Sequence, residues 1–432
     1  MSFLLTIARA GAALLLGVVI FVGFLFFLVL NNLSDKLLNA DFYADTISGQ
    51  DTYNRIYAEV LLDDELVDRA REFLGDIEIV THQDIVDQLR KVVPPDYIQD
   101  QVEDNIERSI AYFKEDVDEL EVYFDLAEPL ERVKPVMFDY LDDRIDEIEV
   151  EAPGIQGCTP GELNDLAGRY VGKFNQLAEG VVPQSVPSLQ EIPLVCRVAI
   201  FELAFGRLVD ETSLDNEARE NLKSGKADLR KPFESGDTLE VFKVSARLLA
   251  GPLIDRSIEK VREDLDAGDR LDLIRQLADW DDTTSEADIR SDLDEGRRWV
   301  SRAENFGELT TLLMVIGGSI LMGLVFYPRL ANMLRWPGIT LLFTGAVFFV
   351  LGKIAESQVP ARLTDVIETG TDKISDVPPS VTDLGGDLLI SFGTQITSGI
   401  AGPSLLLLII GLILFAASFF TAPIKRFVPF LN

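Results

Sequence analysis

The sequence predicts a mainly α-helical membrane protein: four transmembrane helices plus a large helical extracytoplasmic domain with one or two short strands. Three observations predict it. Segments 10–31, 309–327, 336–352 and 403–421 contain no charged residue. The bases flanking them and the acids between them alternate from one connection to the next. The long stretch between the first two segments reads as one amphipathic helix after another.

The first segment, residues 10–31, is rich in Leu, Val and Phe. At about 1.5 Å per residue it crosses a hydrocarbon core of roughly 30 Å. A cleaved signal peptide has a shorter apolar core followed by a small-x-small site. Here Asn31-Asn32-Leu33-Ser34-Asp35 follows, so the segment reads as a retained anchor. Residues 309–327 form the second span, 336–352 a slightly short third, and 403–421 the fourth, with Pro403 in its first turn, where a helix tolerates proline.

Direction follows from the bases. Arg9, then Arg329 and Arg335, then Lys425 and Arg426 flank the spans with no acid in the same connections. The positive-inside rule therefore assigns 1–9, 328–335 and 422–432 to the cytoplasm and both 32–308 and 353–402 to the outside. Tyr327, Trp336 and Trp299 fall near span ends, where amphipathic rings prefer to lie.

The net charge is −33, and 65 of the 72 acids lie between Ala10 and Glu308. Such a surface repels nucleic acid and anionic head groups and favours cations, basic partners or high salt. The plainer reading is a solvated acidic face.

Within 32–308, Thr81-His82-Gln83-Asp84 resembles a capping box with Asp for Glu, ahead of an Ile85, Leu89, Val92 stripe. Pro94-Pro95 breaks that helix, and the next carries Ile98, Val102, Ile106, Ile110 and Phe113 at helical spacing. Thr159-Pro160-Gly161-Glu162 is a full capping box. Residues 285–308 lack proline and are expected to run directly into the second span. Residues 120–126 and 239–244 alternate apolar and mostly polar positions, as half-buried strands do. Their shared Asp-x-Leu-Glu-Val pattern suggests an internal duplication whose two strands pair.

Between the third and fourth spans, Leu363, Val366, Ile367, Gly370 and Ile374 form one helical face, which Val377-Pro378-Pro379 ends. A second helix carries Val381, Leu384, Leu388, Phe392 and Ile396, and Gly399 with Gly402-Pro403 separates it from the fourth span. It is expected to lie in the interface or dock under the outer domain, with Leu388 and Phe392 as anchors; a re-entrant helix is the alternative.

Chemistry-bearing constellations are few. His82, the only histidine, sits beside a cap residue and is expected to be exposed. The two cysteines, Cys158 and Cys196, both lie outside, where such a pair forms a disulfide; a redox switch or metal ligation are the alternatives. No phosphate-cradling loop or nucleotide fingerprint occurs, and no cofactor is implied. Asp264-Leu265-Asp266-Ala267-Gly268-Asp269 begins like a calcium loop, but Gly268 and Arg275 occupy ligand positions. Asp279, Asp281 and Asp282 with Glu286 cluster at a turn, a candidate for weak divalent-cation binding or simply a solvated turn. Ala13, Gly17, Gly317, Gly318, Gly323 and Gly345 permit close helix packing, within one bundle or between copies.

Asn39-Ala40-Asp41-Phe42-Tyr43, the run Tyr53-Asn54-Arg55-Ile56-Tyr57-Ala58-Glu59-Val60-Leu61, Val93-Pro94-Pro95-Asp96-Tyr97 and Ile192-Pro193-Leu194-Val195-Cys196 resemble an uncharacterised family of bacterial multi-pass membrane proteins with a large outer domain. That resemblance implies two outer cysteines and carries no activity. The expected function is non-enzymatic: a cell-membrane protein of the envelope whose acidic outer domain binds an envelope partner or assembles as a homo-oligomer in the lipid bilayer. The alternatives are a channel or transporter component that forms its pore as an oligomer, and an outer-surface hydrolase using paired carboxylates.

Overall fold

The computed structural model describes residues 2–63, 81–155, 157–178, 181–211, 216–280, 284–371 and 378–420. It is mainly helical, with few short strands. The chain divides into two compact units, one built from 1–56, 99–122 and 273–432 and the other from 57–98 and 123–272. Segments 32–56, 99–122 and 273–308 thus belong to the same unit as the apolar helices.

The first unit begins with α1 (Ser2–Asn32), a π-helical turn (Leu33–Leu37), α2 (Ala40–Gly49) and α3 (Thr52–Arg55). The second unit then takes over with a second π-helical turn (Ile56–Val60) and α4 (His82–Val92), and α5 (Pro95–Phe113) returns the chain to the first unit from Gln99 onward. The Thr81 box forms as its spacing requires: Asp84 N–H donates to the Thr81 hydroxyl, and the Asp84 carboxylate accepts from the Thr81 N–H. Val93-Pro94 ends α4, and Pro95 opens α5 at a position where its missing N–H has no helical partner anyway.

The second unit continues through β1 (Tyr123–Asp125), α6 (Ala127–Asp146), β2 (Glu149–Glu151), α7 (Pro160–Ala178), β3 (Ser185–Pro187) and α8 (Leu194–Glu211). It ends with α9 (Asn216–Ser224), α10 (Lys226–Ser235), α11 (Thr238–Glu263) and β4 (Arg270–Asp272). Its core is an aromatic cluster in which Tyr170 packs on Phe233 at 5.2 Å and Phe174 stacks on Phe242 at 4.8 Å between ring centres. The strands are staples at its edges. β1 pairs antiparallel with β4, setting Phe124 opposite Leu271, and β2 pairs parallel with β3, setting Val150 opposite Val186.

The strand expected over 239–244 is instead the first turns of α11, so the two alternating stretches do not pair. Gly236, at φ +85°, closes α10 in the left-handed region that favours glycine, and the Asp237 carboxylate accepts from Glu240 N–H to open α11. Val241, Phe242, Ser245 and Ala246 are then buried along one helical face. A stop signal followed at once by a start signal outweighs a short alternation.

The first unit resumes with α12 (Leu273–Trp280), α13 (Glu286–Val325), α14 (Leu330–Thr371) and α15 (Pro379–Phe419). Among the described residues three helical stretches are long and apolar enough to cross a membrane: Arg9–Leu37, Leu330–Thr364 and Pro379–Phe419. The segment expected as the second span is a shorter apolar stretch, Leu309–Val325, at the end of the 40-residue α13, which stops ahead of Pro328, so among the described residues three helices rather than the expected four reach spanning length. The uninterrupted run from residue 286 into this segment is as expected.

The helices run on across two expected span boundaries. α14 passes through Lys353 and Pro360, and α15 passes through Gly399, Gly402 and Pro403, each as one helix. Among the described residues no break in the helix falls at Gly399 to Pro403. Pro403 removes a backbone bond to the Gly399 carbonyl, but the two helices lie together on both sides of that gap. Gly338, Gly345 and Gly352 recur every seven residues on α14, and Thr397, Ser404, Gly411 and Ser418 do so on α15, all four of the latter buried. A Cβ on Gly345 would sit 2.5 Å from the Leu408 backbone nitrogen, and one on Gly411 2.3 Å from that of Leu342. Farther along, Leu363 meets Gly393 and Ile367 meets Gly386, part of the face read from the sequence. The side chains at 366 and 370, and residue 374, lie outside the described set.

Candidate functional site

Where α1 ends, its neighbours close around the middle of α15. Asn39 caps α2 by accepting from Asp41 N–H at 3.1 Å, which presents Phe42, Tyr43 and Thr46 to α15. Phe392 answers with its ring centre 5.5 Å from Phe42 and 5.6 Å from Tyr43. One turn on, Gln395 Nε2 donates to Thr46 Oγ1 at 2.6 Å. One turn before, Asp387 accepts from Arg55 at 3.0 Å. The Asn32 side chain lies against Gly399, where a Cβ would come within 2.1 Å of its Oδ1. Phe392 is thus an anchor, as expected, and Leu388 is half-buried. The polar partners Thr46, Arg55, Asp387 and Gln395 were not singled out from the sequence. Gln395, a lone amide in an uncharged run, was the available signal.

The N-terminal half of α13 is held by the connection after α5. Arg297 donates to the carbonyls of Val117 at 2.7 Å and Asp118 at 3.0 Å, and Tyr112 donates its hydroxyl to the Asp294 carboxylate. Ser285 opens α13 with a capping box, and its hydroxyl holds the Asp288 carboxyl below the usual range. Of the proposed cation ligands, Asp279 is exposed at the end of α12 and Glu286 accepts from Arg290 at 2.9 Å. Asp281 and Asp282 lie outside the described residues. Among the described residues no group of three or more His, Cys, Asp or Glu is placed to hold a metal ion.

Cys158 and Cys196 are joined, with Cα atoms 5.7 Å apart, tying the exposed start of α7 to the buried first turn of α8. His82 is half-buried rather than exposed: its Nε2 lies against the Leu61 carbonyl, because the start of α4 faces the segment before it. Cations of the second unit join its helices, with Lys134 on Asp255 and Lys243 on Asp146, both at 2.7 Å. In the first unit Tyr53 is buried with its hydroxyl unpartnered among the described residues, and burial, aided by the Glu103 charge, pushes it up to about 12.

No protein-family model, characterised protein or solved structure matches this chain.

An apolar groove of about 660 Å³ lies between α1 and α14 in the first unit. Ala13, Gly17 and Phe21 line one side, and Trp336, Phe343 and Thr344 the other. The small residues on α1 leave room for it: even a Cβ added on Gly17 would meet Thr340 and Met322 only at ordinary contact distance. Gly318 packs on Ile20, Gly323 on the Met333 carbonyl and Gly345 on Leu408, all within one bundle, whereas Gly317 faces open space. The outer faces of these helices are strongly apolar: Leu14, Leu309, Leu406 and Ile413 are each 60–70% exposed.

Proposed function

We propose that the chain is a non-enzymatic, four-span membrane protein of the cell envelope, with both termini cytoplasmic and an acidic extracytoplasmic region that binds a partner or assembles with copies of itself. The observation that carries this reading is the contrast in surface chemistry. α1, α14, α15 and the Leu309–Val325 end of α13 expose large apolar side chains that water does not solvate, while 65 of the 72 acids lie between Ala10 and Glu308. Lipid suits the first surface and water the second. Leu309–Val325 is short for a roughly 30 Å core, and local thinning or the flanking Tyr327 accommodates the difference. An outward acidic surface selects basic partners or cations.

Cysteines introduced singly at Asp143 and Arg329 test the topology, since the native pair is already joined. An impermeant thiol reagent on whole cells should label the first and spare the second; the reverse pattern defeats the orientation. Light scattering of the protein in nanodiscs, with and without high salt, then separates a homo-oligomer from a monomer awaiting a basic partner. Ion conductance of the purified protein across planar bilayers would instead favour the channel reading.

A further inference from the structure

We infer that the groove between α1 and α14 is a binding site for an anionic phospholipid, its acyl chain lying along the apolar lining and its phosphate held by Arg9 and Arg335. The inference rests on the membrane reading above and adds a defined lipid to it.

Position comes first. Ala10 and Trp336 both line the groove, so Arg9 and Arg335 immediately precede lining residues on its two walls, at the end assigned to the cytoplasmic leaflet. Arg9 is half-buried and Arg335 exposed, with the Arg335 guanidinium over the rings of Phe415 and Phe419 at 5.9 and 5.6 Å. That stacking leaves its edge donors available for a phosphate.

Charge complementarity selects the occupant. In a chain of net charge −33, the sequence holds no acid between Met1 and Ser34, between Leu309 and Ala355, or beyond Asp387. Among the described residues neither arginine has an ion-pair partner. Two arginines without protein anions among the described residues, each next in sequence to a lining residue at the same end of an apolar groove and within a side chain's swing of it, match a lipid phosphate above an acyl chain. The groove volume of about 660 Å³ falls in the range of ligand sites, roughly 300–1,000 Å³.

Thr344 adds a second polar point. It is 1% exposed, lines the groove and has no hydrogen-bond partner for its hydroxyl. It lies about 12 Å along the helix from Trp336, on the hydrocarbon side. The ester carbonyls of a phospholipid lie on that side of the phosphate and accept hydrogen bonds. A second copy of the chain fits less well. A twofold pair in a membrane shares one orientation, so docking through this groove would bring like-charged arginines to the same depth.

The test uses Trp336 as the reporter, in full-length protein with Trp280→Phe and Trp299→Phe. The protein is reconstituted in phosphatidylcholine vesicles carrying the same small mole fraction of either brominated phosphatidylglycerol or brominated phosphatidylcholine. Binding predicts quenching by the anionic lipid at a roughly five- to thirty-fold lower mole fraction, the range expected for one or two arginines near an anionic head group. In Arg9→Gln/Arg335→Gln the preference should fall to about one with helicity unchanged. Arg9→Gln alone should reduce it while the Arg335 stacking stays in place. Equal quenching by both lipids, or a preference that survives the double substitution, overturns the inference. Blue emission that neither lipid quenches means that protein fills the groove, which also overturns it. Water-like emission immune to both lipids overturns the membrane reading as well.

Discussion

Gln395 of α15 donates its side-chain amide to the Thr46 hydroxyl of α2, a partner 349 positions earlier in the chain. Thr46 in turn donates to the Phe42 carbonyl at 2.6 Å, so the buried hydroxyl both gives and receives. The same two helices share the contact of Phe392 with Phe42 and Tyr43. One apolar and one polar interaction thus fix a single register between α2 and α15.

Phe392→Ala should therefore lower the thermal unfolding midpoint of the detergent-solubilised protein. The cost is about 2 kcal/mol, below the 3–5 kcal/mol of a fully buried Phe, because the ring is half-buried. Gln395→Leu should cost about 1 kcal/mol, since Thr46 keeps its bond to its own helix. Leu406→Ala, 61% exposed, is the control and should shift the midpoint little in the same detergent.

The α14–α15 seam makes a sharper prediction. Gly411 meets the backbone of Leu342, which cannot rotate aside, so Gly411→Val must push the helices apart at a cost of roughly 1–3 kcal/mol. Gly317→Ala meets nothing within 4 Å and should be neutral or stabilising by up to about 1 kcal/mol. Equal effects of the two substitutions would refute the seam.

Alkali should expose Tyr53. Its folded state keeps the phenol neutral up to about 12, whereas the unfolded chain ionises near the ordinary 10.0. A raised folded value means that stability is complete below pH 10 and declines as pH rises towards 12. Tyr53→Phe should flatten that decline and leave stability near pH 7 unchanged or higher, because the hydroxyl has no partner to lose. Denaturation followed across the pH series is the measurement.

Removing the disulfide should loosen the second unit. The joined residues are 38 apart, for which loop entropy gives about 3–4 kcal/mol. Cys158→Ala/Cys196→Ala should lower the unfolding free energy by that much, move the denaturant midpoint down accordingly, and leave the midpoint independent of reductant.

Local signals with a single physical meaning were legible in advance. Thr81 with Asp84, and Thr159 with Glu162, form their boxes because a hydroxyl and a carboxylate three residues apart satisfy each other's end of the helix. The proline-free run from Ser285 is one helix for the converse reason: nothing in it stops propagation. The errors came where tertiary packing overrides local chemistry. Gly402-Pro403 looks like a boundary from within α15, but the opposing face of α14 holds both sides of it together. The contacts of Thr46, Arg55, Asp387 and Gln395 join residues more than 300 positions apart, and no spacing rule reports such a meeting.

The unbroken course of α13 has a mechanical consequence. Forty residues at 1.5 Å each make a rod of about 60 Å, polar at one end and apolar at the other. No proline interrupts it, so from Glu286 to Ile316 the rod has no proline or Gly-Ser joint at which bending would concentrate. A tilt of about 5° imposed at its polar end therefore moves the apolar end by roughly 5 Å, a displacement comparable to one helical turn. Whatever grips Asp294 and Arg297 has leverage on Leu309–Val325.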